Sequence, residues 1–98
     1  MTADASVISG PSVVKLARGV RLHDDPVRGR KVLLAPERAM ALDDIAVLIV
    51  QALDGKRSLD RIAADFAAEF DAPVVQITND VSAFAKELAV RRMLEIVE

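Results

Sequence analysis

Between Gly29 and Asp44 the chain reads GRKVLLAPERAMALDD, and no other stretch limits the fold as much. Apolar residues dominate it, with one break at Ala-Pro-Glu, where proline's fixed φ suits a tight turn. KVLLA and RAMAL therefore read as two antiparallel strands running into a helix start. Val32, Leu33 and Leu34 are consecutive, so both faces of the first of these strands are apolar, whereas a strand with one wet face alternates. Just upstream, VRLHDD does alternate, Val20 and Leu22 against Arg21 and His23. Asp-Asp-Pro and then VRGR place a proline and a glycine in the connection, a loop between strands.

The remainder has helical spacing. Asp43 or Asp44 is placed to cap a first helix carrying Ile45, Leu48, Ile49, Ala52 and Leu53, with Val47 and Val50 widening its apolar surface so that burial on more than one side is expected. Gly55 is placed to end it in a left-handed cap. Ser58 starts a second helix with the stripe Leu59, Ile62, Ala63, Phe66 and Phe70, and Asp71-Ala72-Pro73 breaks it. A third runs from about Val74 to Val90 with Ile77, Val81, Phe84, Ala85 and Leu88 on one side. MLEIV is then either a short extra strand or an extended tail. Residues 1–14 show no period and read as a mobile arm, leaving 15–98 as one domain. The fold class that follows is α+β, a small winged-helix-like domain with a three-stranded antiparallel sheet followed by three helices.

A chain of 98 residues has room for one core and one site. Without cysteine, thiolate catalysis, disulfides and cysteine-type zinc sites are excluded. Without Trp or Tyr there is no base-stacking platform for single-stranded nucleic acid. The start of the chain lacks the basic and apolar regions of a signal peptide, and no apolar run reaches the roughly eighteen residues of a membrane span, so a cytoplasmic protein without membrane contact is expected. The net charge of −2 is unevenly spread, with Lys15, Arg18, Arg21, Arg28, Arg30 and Lys31 making the strand region basic and the helical part acidic.

Catalytic chemistry finds no foothold. His23, the lone histidine, lies on the polar face of a strand and reads as solvated. Asp24-Asp25 point to opposite sides of a strand and Asp43-Asp44 belong to a helix cap, so neither pair makes a metal site. Gly19, Gly29 and Gly55 are isolated and build no phosphate loop. Ser58 in RSLD looks like a phosphopantetheine attachment serine, but a cap explains it already. No catalytic residue, metal or cofactor is expected. A winged-helix DNA-binding protein is the alternative, since RGRK can touch phosphate as a wing, while the third helix offers only Asn79, Lys86, Arg91 and Arg92 against Asp80 and Glu87. A dimerisation module is a third reading.

From Gly19 onward the chain resembles the pyrroloquinoline quinone (PQQ) biosynthesis protein D (PqqD) family. RGVRLHDDPVRGRKVLLAPERAMALDD is similar to that family's strand section with its Val-Leu-Leu-x-Pro-Glu turn, ALDGKRSLDRIAADFAAEFDAP to its second-helix junction, and DVSAFAKELAVRRMLE to its closing helix and Leu-Glu tail. Many relatives carry an aromatic where this chain has Lys31, and a glycine near Arg92 that would cap the last helix. The resemblance implies a RiPP recognition element, a peptide chaperone that binds the ribosomal precursor peptide PqqA and presents it to the radical SAM enzyme PqqE. It further implies a peptide lying as an added strand on the third strand, over the third helix.

Elementary chemistry is compatible with that placement. An edge strand over Arg38 to Leu42 offers unpaired amides and carbonyls to one more strand. Ala39 and Ala41 leave room beside the backbone on one face, and Met40 gives an adaptable apolar surface on the other. The expected pockets lie between Met40, Leu42, Val81, Phe84, Ala85 and Leu88, with Arg38 and Arg91 or Arg92 attracting acidic residues of the peptide. An exposed edge can also pair with its own copy, so the protein is expected as a monomer or a homodimer.

Overall fold

The computed structural model describes residues 8–97 and contains two three-stranded antiparallel sheets and three helices. The element order is β1 (Val13–Leu16), β2 (Arg21–Asp25), β3 (Arg30–Ala35), β4 (Arg38–Ala41), α1 (Asp44–Ala52), β5 (Asp54–Ser58), α2 (Leu59–Phe70), α3 (Val74–Val90) and β6 (Leu94–Ile96).

The expected meander is β2-β3-β4, with Leu22 opposite Leu33 and Leu33 opposite Met40. Its turns follow from local chemistry. The Asp25 carboxylate accepts the Val27 and Arg28 amides at 3.1 and 3.3 Å, and Gly29 closes the loop at φ 66° with its N–H on the Asp25 carbonyl. Pro36 and Glu37 alone join β3 to β4, because Ala35 pairs with Arg38, and Glu37 takes the left-handed φ of 65°. As the run of apolar residues requires, the central strand β3 buries both faces, Leu33 toward the main core and Val32 on the side shared with His23 and Ala41.

The second sheet, in the order β5-β1-β6, departs from the three-strand expectation. β1 is its middle strand, with Val14 fully buried. A mobile arm over 1–14 is therefore too long. Residues 1–7 lie outside the described ones, but Ile8 is buried, and the carbonyls of Gly10 and Ser12 accept the first amides of α2, those of Asp60 and Leu59, at 2.9 Å. The same residues satisfy helix-start donors that would otherwise lack an internal partner. Gly55 is also not a helix cap. α1 ends at Ala52, and Gly55 sits in β5 at φ 75°, where the register with β1 shifts between Val13 and Lys15. The segment at the end of the chain resolves as the strand β6.

Each helix start has its expected partner or break. Asp43 Oδ1 accepts the Ala46 amide at 2.7 Å, Ser58 Oγ accepts that of Arg61 at 3.1 Å, and Pro73 precedes α3 in an extended conformation. α3 ends in a Schellman motif, with the Met93 amide on the Leu88 carbonyl, that of Arg92 on Ala89, and Arg92 at φ 60°. Buried Met93 and Leu88 supply the apolar contact of that motif. Arg57 joins three elements: Nε reaches Asp54 at 3.0 Å, Nη1 reaches Asp65 at 3.1 Å, and Nη2 donates to the last carbonyl of α1, Ala52, at 3.3 Å. α1, α2 and α3 thereby close over Leu33, Val14 and Leu94.

Candidate functional site

Among the described residues β4 pairs only with β3, which makes it an edge strand. The Leu42 amide donates to the Lys31 carbonyl at 3.2 Å. In an antiparallel ladder bonded and non-bonded pairs alternate, so Met40 and Arg38 also turn their backbone groups toward β3. The N–H and C=O of Ala39 and Ala41 consequently face outward. Neither residue carries a side chain beyond Cβ, and both are exposed. Met40 lies on the other face, half-buried against the core.

The structure divides the ten expected site residues into three groups. Arg38, Ala39, Ala41 and Arg91 are exposed, and Arg91 Nη2 is 3.3 Å from Glu87 Oε1 on its own helix. Met40 and Phe84 are half-buried and pack against the core. Leu42, Val81, Ala85 and Leu88 are buried within it. The expectation that these last four wall the same pockets needs correcting. Of these four, Leu42 contributes to the concavities beside β4 and Val81 to a cleft between the helices, so they do not share one pocket, while Ala85 and Leu88 are fully buried in the core. The surface of Ala85 and Leu88 is already taken up by the core. Arg91 is ten residues beyond Val81, about 15 Å along the helix, so a single pocket does not hold both.

Sequence reasoning missed a concavity with an almost wholly apolar lining. A cleft of about 260 Å³ lies where the three helices meet, lined by Ile45, Leu48 and Ile49 of α1, Phe66 and Phe70 of α2, and Ile77, Asp80 and Val81 of α3. Ile45 is 67% exposed and Phe70 52%, which decides that this is surface and not core. The two Phe rings lie 5.9 Å apart in a tilted pair. The signal available in the sequence was α1 itself, apolar nearly all round. Burial on more than one side was the expectation, and the structure leaves Ile45 and Leu48 exposed.

A wider concavity of about 660 Å³ separates the β2–β3 loop from α1, with Asp24, Asp25, Arg30 and Lys31 on one wall and Val47 and Leu48 on the other. The Lys31 ammonium hydrogen-bonds Asp24 and holds its carboxyl below the ordinary aspartate range. The Asp54 carboxyl is lowered to about 2 by the backbone amides of Arg57 and Lys56 and, after them, by the Arg57 side chain. Asp65, then Asp54, raise the Arg57 guanidinium in return. This cluster braces α1 against α2 and adds no reactive group. Among the described residues no three potential metal ligands gather, and no helix is long and apolar enough to cross a membrane.

Residues 30–94 match the model of the family described as coenzyme PQQ synthesis protein D (PqqD). A PqqA binding protein of Rhizobium meliloti (strain 1021) is 79% identical over 98 residues, the whole of both chains. The solution NMR structure of the PqqD truncation of Methylobacterium extorquens PqqCD, described as a functional, stand-alone RiPP recognition element, superposes with a TM-score of 0.80 at 40% identity, covering 95% of this chain and 99% of that one. A lasso peptide synthetase B1 complexed with its leader peptide shares the fold, with a TM-score of 0.71 at 24% identity over 85% of this chain and 98% of its own. The winged-helix DNA-binding alternative finds no support in these relatives. This chain belongs to the coenzyme PQQ synthesis protein D family.

Proposed function

We propose that this protein is a non-catalytic peptide adaptor in PQQ biosynthesis, binding a PqqA-type precursor peptide as a fourth strand on β4 and presenting it to a radical SAM enzyme of the PqqE type. The observation that carries the reading is the outward row of backbone groups at Ala39 and Ala41, on an edge with neither a bulky nor a charged side chain at those two positions. The Rhizobium relative named a PqqA binding protein supports the choice of peptide; the enzyme partner rests on the family resemblance. Arg38, at the start of the edge, suits an acidic residue of the peptide.

Magnitudes set what the edge can do alone. Four hydrogen bonds at about 1 kcal/mol net each give about 4 kcal/mol, roughly the free energy of a millimolar complex, before any cost of ordering the peptide. Ala39 and Ala41 add almost no apolar burial. The edge thus provides register and direction, and most of the affinity has to come from side-chain contacts.

An amide-resolved NMR titration with hydrogen exchange tests the placement. Addition of the precursor should protect the Ala39 and Ala41 amides and shift neighbouring resonances in β4. Shifts confined to the Pro26–Gly29 loop, with Ala39 and Ala41 still exchanging freely, would refute it. A pull-down in which the enzyme is retained only when peptide is present tests the presentation step.

A further inference from the structure

Exposed bulky apolar side chains concentrate at one corner of the molecule. Ile45 and Leu48 of α1 and Phe70 of α2 open onto the three-helix cleft, and Val74 and Val75, also exposed, follow Phe70 in the chain by four and five residues. Among the described residues Asp80 is the cleft's only charged lining residue, Asp44 begins the same helix as Ile45, and neither carboxylate has an ion-pair partner.

A continuous surface connects this cleft to the open strand edge. The hollow at the end of β4 is lined by Arg30, Ala41, Leu42, Asp43 and Asp44; the neighbouring concavity shares Arg30, Leu42 and Asp44 and extends to Leu48; Leu48 in turn lines the cleft. Ala41 and Ile45 are four residues apart, at most about 15 Å, the reach of roughly four or five extended residues. A peptide paired with β4 therefore arrives at the cleft within a short span.

We propose that the three-helix cleft is a second anchor for the precursor peptide, taking a bulky aliphatic or aromatic side chain that lies a few residues beyond the β4-paired segment and is accompanied by a basic residue facing Asp80 and Asp44. The inference rests on the strand-addition reading and supplies what that reading lacks. The edge offers hydrogen bonds that every sequence can make, and the cleft offers apolar burial and a charge that select among sequences.

The test is calorimetric titration of the full chain with the synthetic PqqA precursor of Rhizobium meliloti, alongside the variant Ile45→Asp. Ile45 is mostly exposed and in the first turn of α1, where an added carboxylate is favourable to the helix, so the variant folds. The expected result is affinity weakened about tenfold or more, on the scale of removing one bulky side chain from an apolar site, while Ala39 and Ala41 amides still shift at saturation. Replacing bulky apolar residues of the peptide with serine one at a time should find one position that costs the same factor against the wild-type protein and little more against Ile45→Asp. Unchanged affinity for Ile45→Asp with normal β4 shifts overturns the cleft anchor and leaves the strand reading standing. Unchanged affinity with a loss of self-association in sedimentation overturns it too, by assigning the cleft to a second copy of the chain. Weakened binding by Ile45→Asp with silent Ala39 and Ala41 keeps the anchor and removes the strand.

Discussion

On one flank of β3 the outward-facing backbone belongs to Leu22 and Asp24; on the other it belongs to Ala39 and Ala41. The alternation that turns Ala39 outward also turns Leu22 outward, because Val32 and Leu34 bond to β2 while Lys31 and Leu33 bond to β4. β2 surrounds its open row with Arg21, His23, Asp24 and Asp25, and Asp24 is tied across to Lys31 at 2.6 Å. β4 has one charge, Arg38, at its far end. Charged side chains are a common protection against strand addition. The sheet thus has one guarded flank and one unguarded flank, and the difference lies in side chains, since the backbones offer a stranger the same groups.

Removing what the two flanks share has the largest effect. Leu33 is fully buried at the centre of the sheet, and Leu33→Ala should cost about 2–5 kcal/mol, read as a lower urea midpoint. Amides of both flanks should lose protection together; loss on one side alone would break the picture of a common central strand. A proline on each flank separates them next. Ala39→Pro removes an outward N–H without touching the β3 ladder, and should weaken peptide binding by about thirtyfold, combining a lost hydrogen bond with a ring that obstructs the incoming strand. Asp24→Pro makes the matching change on β2 and should leave affinity within about twofold, since no partner is expected there. Equal losses for the two prolines would show that the flanks are not distinguished.

The guarded and unguarded strands were legible in the sequence because their information is local. Alternation in VRLHDD, proline at the β3–β4 turn and the Asp25–Gly29 loop each act within a few residues. β1, β5 and β6 were not legible as a sheet, because each is short and stabilised by distant partners. Val13 meets Ser58, and Leu16 meets Leu94. DGKRS has almost no strand propensity of its own, and only pairing with β1 makes it one. The site divides in the same way. The edge and its two alanines were readable, while the sides of α1 left bare depend on which helices pack against it, so Ile45 and Phe70 read as core and proved to be surface. Ala85 and Leu88 erred in the opposite direction, since an apolar stripe at helical spacing looks the same whether it faces a core or a groove.

A smaller effect tests the brace between α1 and α2, away from both flanks. Asp54→Asn removes the charge that Arg57 holds and should lower stability at pH 7 by about 0.5–1 kcal/mol, the upper range for partly exposed pairs. Its folded-state carboxyl is depressed to about 2 from an ordinary value near 3.9. The contribution is therefore fully present above the unfolded value and is lost as pH falls through the folded one. Melting curves of the variant and the parent should differ by a constant amount above about pH 5 and converge between about pH 4 and pH 2. A gap that persists unchanged at pH 2 would assign the effect to packing instead of charge.

The smallest change strengthens the molecule without approaching either flank. Arg92 occupies the C′ position of the α3 Schellman motif at φ 60°, a conformation costly for any residue with a Cβ, and its side chain has no hydrogen bond among the described residues. Arg92→Gly should raise stability by about 0.5–1 kcal/mol, or a few degrees in Tm, with the gain in the folded backbone exceeding the added freedom of the unfolded chain. Because α3 buries Leu88 and Met93 beneath this turn, firmer closure reaches the core and stops short of Ala39 and Ala41. Peptide affinity should consequently stay the same while Tm rises. If affinity climbs with stability, availability of the β4 edge is limited by opening of the whole fold, and the contrast between the two flanks is one of local stability more than of exposed side chains.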